Sequence, residues 1–347
     1  MSEKIAFVGA GAVGGYTGGH IARAGHDVTL IDPWPEHVAA IKRDGLQLGG
    51  TQGEHNVRVK ALHVAAVQTL AASAIDVAFI CTKLYDTAWA AALVTPYLAP
   101  GGIVVTMQNG LVEEQVARIA GWGRTLGCIA STLSVEAVAP GRIVRTQLPG
   151  GDAYTVFRVG ELNGLVTTRA QRIAELLRNV DSARVTTDLW GERWSKLAAN
   201  TMTTGLSALA GLDLNEVVEL QPPRRLQIRL AAEAIRVGRA YGYKLKAIRG
   251  LPAEKWLAAA DGDAVALAEV EECMLDGLRR RPEGGRSGTA QDLAKCRRTE
   301  VDFMNGYVAG QGARCGVPAP THAAVAALVG RIERGELAPA RELLQLL

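Results

Sequence analysis

The sequence has no CxxC pair. Its cysteines, Cys81, Cys128, Cys273, Cys296 and Cys315, are odd in number. That argues against a disulfide framework and for free thiols in a reducing cytoplasm. The histidines fall at no ligand spacing, so no metal site is expected. No apolar run approaches the roughly 18 residues that a membrane helix needs, so no membrane partner is expected. Lysine and arginine nearly balance aspartate and glutamate, 38 against 35. The net charge of +3 offers no basic footprint for nucleic acid. The opening "MSEKIAFVGAG" runs straight into a strand and a glycine turn. It carries no basic stretch followed by an apolar one, so no export signal is expected. Internal repeats and low-complexity tails are also missing.

What remains is an ordinary globular composition, 48% hydrophobic and 21% charged. A chain of 347 residues is long enough for two domains. The first half alternates. "KIAFVG", "DVTLID", "IDVAFICT" (75–82) and "GGIVVTMQNG" (101–110) read as strands. Ala12 to Ala24 and the stretch 86–98 read as helices. Apolar strands separated by helices predict a parallel sheet covered on both faces. From about 124 to 160 the pattern is β-rich, which predicts antiparallel or mixed strands closing the sheet edge. Beyond about 187 the chain becomes Ala-, Leu- and Arg-rich. The spacing predicts helices over 190–209, 224–241, 263–277 and 289–314, with a loop at "RRRPEGGRSG" (279–288). The expected architecture is an α/β N-terminal Rossmann-type domain over 1–187, binding a dinucleotide. An all-α C-terminal domain over 188–347, binding the substrate, follows it.

Gly9, Gly11 and Gly14 form a GxGxxG between a strand and a helix, with Ala12 and Val13 inside it. The first glycine suits a tight turn, the second a close approach of backbone to a pyrophosphate, the third tight packing of helix on strand. The helix start offers free N–H groups to the phosphates. Asp32 ends the next strand. A carboxylate there can accept hydrogen bonds from a ribose and repels a 2′-phosphate. NAD is therefore the expected cofactor, with NADP possible. The alternative for Asp32 is a residue that only starts the "DPWPEH" turn. Lys42 and Arg43, further along, are the nearest cations.

Lys83 and Asn109 end strands at the edge where open α/β sheets bind ligands. They can equally be a solvated lysine and a turn former. Lys196 is followed by an uncharged stretch, Leu197 to Leu212. Helical spacing puts Lys196, Asn200 and Thr204 on one stripe, a polar wall better suited to a pocket than to a surface. In the last long helix expected, Glu300 shares an apolar stripe with Leu293, Phe303 and Tyr307. A carboxylate there needs a partner, and a lysine on a facing helix would serve. The plainer readings are surface ion pairs, Lys196 with Glu192 and Glu300 with Arg297.

Together these residues resemble the ketopantoate reductase (2-dehydropantoate 2-reductase) family. The resemblance rests on "GAGAVGGYTGGHIARAGHDVTLID", "CTK" at 81–83, "QNG" at 108–110, "WSKLAAN" at 194–200 and "RRTEVDFMNGYV" at 297–308. It implies an NAD(P)H-dependent reduction of a 2-ketoacid to a 2-hydroxyacid, as in pantothenate biosynthesis, by a cytoplasmic homodimer. It also implies that Lys196 is the general acid and that Glu300 binds substrate and balances charge. Asn109 and Asn200 would orient lysine and substrate, and Lys83 would lie on the cofactor side. Two positions depart from the family pattern. Thr204 and Gly205 stand where the family usually has asparagine, often followed by proline. Where it has a substrate-binding serine this chain has Gly288, flanked by Ser287 and Thr289. Those two hydroxyls are the candidates for the substrate carboxylate. The bland alternative is a helix cap, with Asp292 completing a capping box from Thr289. Asp32 and Thr204 leave room for a related dehydrogenase of another bulky or polyhydroxylated acid. A non-catalytic dinucleotide sensor would need the glycine loop but not the lysine, asparagine and glutamate.

Overall fold

The run Val77, Ala78, Phe79 and Ile80 is buried at every position. A strand with one wet face would alternate, so this one must be covered on both sides. The computed structural model describes residues 3–279 and 285–347. Residues 280–284 of the loop expected at 279–288 lie outside the described residues. The chain divides into two units, Met1–Leu189 and Trp190–Leu347.

The first unit opens with β1 (Lys4–Val8), α1 (Ala12–Arg23), β2 (Asp27–Asp32) and α2 (Pro35–Asp44). Three short strands follow, β3 (Leu46–Gly50), β4 (His55–Val57) and β5 (Lys60–His63). Then come β6 (Ile75–Ile80), α3 (Thr87–Val94), β7 (Leu98–Thr106), α4 (Glu113–Ala120) and β8 (Thr125–Ala130). The unit ends with β9 (Val135–Ala139), β10 (Arg142–Arg145), β11 (Phe157–Glu161), α5 (Thr168–Leu177) and β12 (Ala183–Val185). The main sheet has the order β12-β11-β8-β7-β6-β1-β2-β5. From β8 to β5 all pairings are parallel, and β11 runs antiparallel to β8.

Side chains alternate across this sheet as the pleat requires. Ile5, Phe7, Leu30, Val77, Phe79 and Val105 enter one core. Ala6, Val8, Ile31, Ala78, Ile80 and Val104 enter the other. Phe7 and Phe79 stack at 4.5 Å between ring centroids. Cutting such a ring back to alanine costs about 3–5 kcal/mol. The β-rich stretch expected to close the sheet edge does so only with β8 and β11. β9 and β10 leave it for a second sheet, β4-β3-β10-β9. A buried ion pair between Arg145 of β10 and Asp181, 2.6 Å long, ties that second sheet down.

The second unit is helical: α6 (Leu189–Thr201), α7 (Thr204–Ala210), α8 (Glu216–Glu219), α9 (Gln221–Ala240), α10 (Ala253–Ala260), α11 (Ala264–Arg279), α12 (Gly288–Ala294), α13 (Asn305–Cys315) and α14 (Pro320–Glu333). α9 starts earlier than expected because its two prolines sit in the first turn, where a missing N–H costs nothing. Two of the expected helices are broken. The helix over 190–209 stops after Thr201 and restarts at Thr204. The hydroxyls of Thr201 and Thr204 donate to the carbonyls of Leu197 and Asn200, at 2.9 and 3.1 Å. Such back-bonding competes with the helix ladder and bends it.

The helix expected over 289–314 is the larger correction. α12 ends at Ala294 in a Schellman-type cap. Cys296 takes the left-handed conformation at φ 50°. Its N–H reaches Leu293 O at 3.0 Å, and that of Arg297 reaches Asp292 O at 2.8 Å. Glu300 therefore lies in a bend before a short 3₁₀ turn at Val301–Phe303, not on a stripe of one helix with Leu293 and Tyr307.

Candidate active site

The glycine loop joins β1 to α1. Gly9 has φ +92°, and a Cβ there would come within 2.8 Å of the Cys81 and Thr82 backbone. A Cβ on Gly14 would sit 2.0 Å from Gly9 O. Gly11 differs, since nothing lies within 4 Å of the place its Cβ would take. The first helical bond runs from Gly15 N–H to Gly11 O at 2.8 Å. The N–H groups of Ala12 and Val13 precede it and have no acceptor within the helix. An open flank, first-turn donors and the positive end of a 12-residue helix fit a dinucleotide pyrophosphate.

Asp32 lies at the end of β2, 8% exposed. Its Oδ2 accepts from Ala10 N–H at 2.8 Å and its Oδ1 from Trp34 N–H at 2.9 Å. It does start the turn, as the plainer reading held, and it also clamps the glycine loop. Each oxygen keeps a second lone pair that can accept another hydrogen bond. Arg43, one of the two cations near enough to reach toward a 2′-phosphate, is turned onto Asp44 at 2.6 Å.

Lys83 follows β6 and Asn109 follows β7, neighbours of β1 in the sheet. Asn109 is exposed, and Gly110 after it has φ +69°. Two residues not singled out from the sequence hold these loops. Gln108 donates to Thr82 O at 3.1 Å and to Thr87 Oγ1 at 2.8 Å, joining the two strand ends. The buried Glu113 accepts from Thr106 Oγ1 at 2.8 Å and from Val112 N–H at 3.1 Å. A lone glutamate at a helix start gives no sequence signal beyond favouring the helix dipole.

In the second unit Lys196 and Asn200 lie one turn apart on α6, both half-buried. Thr204 opens α7 and donates to Asn200 O, so it stays beside that stripe despite the break. Ser195, next to Lys196, donates to Gly191 O at 2.6 Å and accepts from Lys246 N–H at 2.8 Å. This fixes the segment after α9 against α6. The bend holding Glu300 is anchored on both sides. Thr299 donates through N–H and hydroxyl to Glu333, each at 2.7 Å. Asn305 donates to Thr201 O at 3.0 Å, at the end of α6. Gly205 accommodates this contact, since a Cβ there would meet Asn305 Oδ1 at 2.9 Å and Val325 at 2.5 Å.

Ser287 is 3% exposed and serves as the N-cap of α12. Its hydroxyl accepts from Ala290 N–H and donates to Thr204 O, both at 3.1 Å. Thr289 lies within the first turn, so the capping box expected from Thr289 to Asp292 does not form. Among the described residues no cluster of histidine, cysteine or acidic groups could hold a metal ion, and no helix is long and apolar enough to cross a membrane.

Two family models cover most of the chain. "Ketopantoate reductase PanE/ApbA" matches residues 5–157, and its C-terminal counterpart matches 188–333. A 2-dehydropantoate 2-reductase of Archaeoglobus fulgidus is 26% identical over 96% of this chain and 99% of its own length. That of Halobacterium salinarum is 27% identical over 95% and 99%. Among solved structures, a PanE/ApbA family ketopantoate reductase from Ralstonia eutropha is similar with a TM-score of 0.78 at 28% identity, covering 96% of this chain and 99% of that one. A D-mandelate dehydrogenase in complex with NADH and anilino(oxo)acetate shares the fold with the same TM-score and coverage at 20% identity. With its glycine loop, its "WSKLAAN" helix and matches in both halves, the chain belongs to the ketopantoate reductase family.

Proposed function

We propose that the protein reduces a 2-ketoacid to the 2-hydroxyacid, with 2-dehydropantoate as the first substrate to test. One observation carries the reading: Lys196 and Asn200 stand one turn apart and half-buried on α6, and no further charge follows Lys196 until Asp213. Bound NAD(P)H supplies the hydride for the carbonyl carbon. The oxygen then gains negative charge and needs a proton, which the Lys196 ammonium gives. Asn200 is spaced to orient that ammonium and the substrate. Glu300, set in its anchored bend, binds substrate and balances the lysine's charge. Lys83 and Asn109 act from the loops after β6 and β7, on the cofactor side. Thr204 and Thr289 remain candidates to touch the substrate. Ser287 acts through Thr204, because its hydroxyl is already committed there. The cofactor is NADH in preference to NADPH, because a 2′-phosphate would meet the Asp32 carboxylate. The odd set of five cysteines, with no CxxC pair, suits a reducing cytoplasm.

A second reading keeps the chemistry and changes the acid. Thr204 and Gly205 replace the asparagine and proline expected from the resemblance, and the space beside Asn200 changes with them. A panel of 2-ketoacids, including 2-dehydropantoate and aryl 2-ketoacids, assayed by NADH and NADPH oxidation, tests both. Turnover of 2-dehydropantoate at least tenfold above every other acid in kcat/KM supports the first reading. A different preferred acid supports the second, and no turnover with any acid would defeat both.

A further inference from the structure

The turn after β2 holds a large aromatic ring that the proposed chemistry does not use. Trp34 is 37% exposed, and its indole lies parallel to the His37 imidazole at 5.3 Å and 8°. Offset stacking of this kind is a favoured arrangement of two rings. His37 itself is fully buried. Its Nδ1 lies 2.9 Å from Gly141 N–H, and its Nε2 lies 2.9 Å from Ala10 O. A backbone N–H only donates, so Nδ1 accepts. The ring proton is therefore on Nε2, which donates to Ala10 O.

The two peptides flanking Ala10, in the middle of the glycine loop, are thus both held. Asp32 takes the N–H of one and His37 holds the carbonyl of the other. The same Asp32 carboxylate holds Trp34 through its backbone N–H. The Trp34 backbone, the Asp32 carboxylate and the glycine loop form one hydrogen-bonded unit, with the indole exposed beside it and His37 behind it.

We propose that Trp34 is the stacking surface for the adenine of the cofactor, and that His37 is the positioning residue that holds both this ring and the glycine loop. The inference rests on the reading that the chain binds NAD(P)H. An adenine offers a π face of matching size, and stacking of a base on an aromatic ring changes affinity by about tenfold or more. His37 supports the indole from the protein side and fixes the direction of the loop through Ala10 O.

Titration with ADP-ribose and with NADH, read by fluorescence or calorimetry, tests this without turnover. Trp34→Ala should raise Kd for both by about tenfold or more, and Trp34→Phe should restore most of the loss. His37→Gln can still place an amide N–H toward Ala10 O. His37→Asn can keep the acceptor for Gly141 but not the donor to Ala10. The proposal expects a tenfold rise in Kd for His37→Asn and a smaller rise for His37→Gln, which keeps the contact to Ala10 O but lacks the ring behind Trp34. A Kd for ADP-ribose within twofold of the parent in Trp34→Ala would sink the stacking role. Equal losses of Tm in both His37 variants, with unchanged Kd, would leave His37 as core packing only. If the unmodified protein binds neither NADH nor NADPH, the dinucleotide reading itself fails, which is a separate result.

Discussion

Single residues carry the chemistry, and they differ in how far the sequence reveals them. Lys196 is conspicuous because no other charge occurs between it and Asp213. Replacing it with alanine should lower kcat by about 10²- to 10⁴-fold, the range for one general acid, and leave Kd for NADH nearly unchanged. Steady-state kinetics with a parallel NADH titration checks both halves; activity within a few-fold of the parent would remove the lysine from the mechanism. The place of Asp32 at the end of a strand is legible in the sequence, and the proposal that it binds a ribose starts from there. Its bonds to Ala10 and Trp34 are not, since they depend on how the turn folds back. Asp32→Asn should therefore do two things at once. It should erode a preference for NADH over NADPH by about tenfold, since the repelling charge is gone. It should also lower Tm, because an acceptor charge that serves two backbone N–H groups is lost, each such bond being worth about 1.5–3 kcal/mol. A clear NADPH preference in the unmodified protein would overturn the reading of Asp32. His37 gave no signal in the sequence, because a lone histidine on a helix looks the same whether it fills a core or holds a loop.

At the scale of elements, alternation and glycine spacing locate β1, α1, β2, β6 and β7, because each is buried in the way its pattern demands. The second sheet was not legible as a sheet, since its two hairpins, β3–β4 and β9–β10, are short and join only through β3 and β10, which lie far apart in the chain. The helix breaks were not legible for another reason. "KCRRTEV" contains neither glycine nor proline, yet Cys296 adopts the conformation that a cap usually gives to glycine. That break moves Glu300 from a helix face into a bend. Asn305→Ala should consequently lower kcat/KM as well as Tm, because it releases the bend from Thr201 O. A fall in Tm alone would mean that the bend holds without it. Ser287→Ala separates cap from ligand. With the hydroxyl used by Ala290 N–H and Thr204 O, the expected result is a loss of about 1 kcal/mol of stability. KM for the ketoacid should change by less than threefold. A tenfold rise in KM would return Ser287 to the substrate.

At the scale of the whole molecule, the change of texture near residue 187 reflects two ways of burying apolar surface. One is a sheet covered on both faces, and the other is a set of helices packed on one another. Each unit also buries a histidine that resists protonation. In the first, burial lowers His20 from its usual 6.5 to about 4, with Arg23 and His55 adding to the effect. In the second, burial lowers His322 to about 4 as well. His322 Nε2 donates to Leu230 O at 2.9 Å and Nδ1 faces the Asn305 amide at 3.1 Å. Glu233 takes the His322 backbone N–H at 3.2 Å rather than the ring. Above pH 6.5 both histidines are neutral whether the chain is folded or not, and they add no pH dependence. Between 6.5 and 4 the unfolded chain takes up protons that the folded one refuses, so stability falls as pH falls through that window. For the fully buried His322 the loss reaches about 3 kcal/mol. Below about 4 the folded ring protonates too and the loss levels off. His322→Gln keeps an N–H for Leu230 O and has no proton to gain. Calorimetric melts at steps from pH 7 to pH 4 should show the variant's transition falling less steeply than the parent's. If the parent and His322→Gln lose Tm in parallel across that range, His322 is protonated in the fold and its ring must reach solvent.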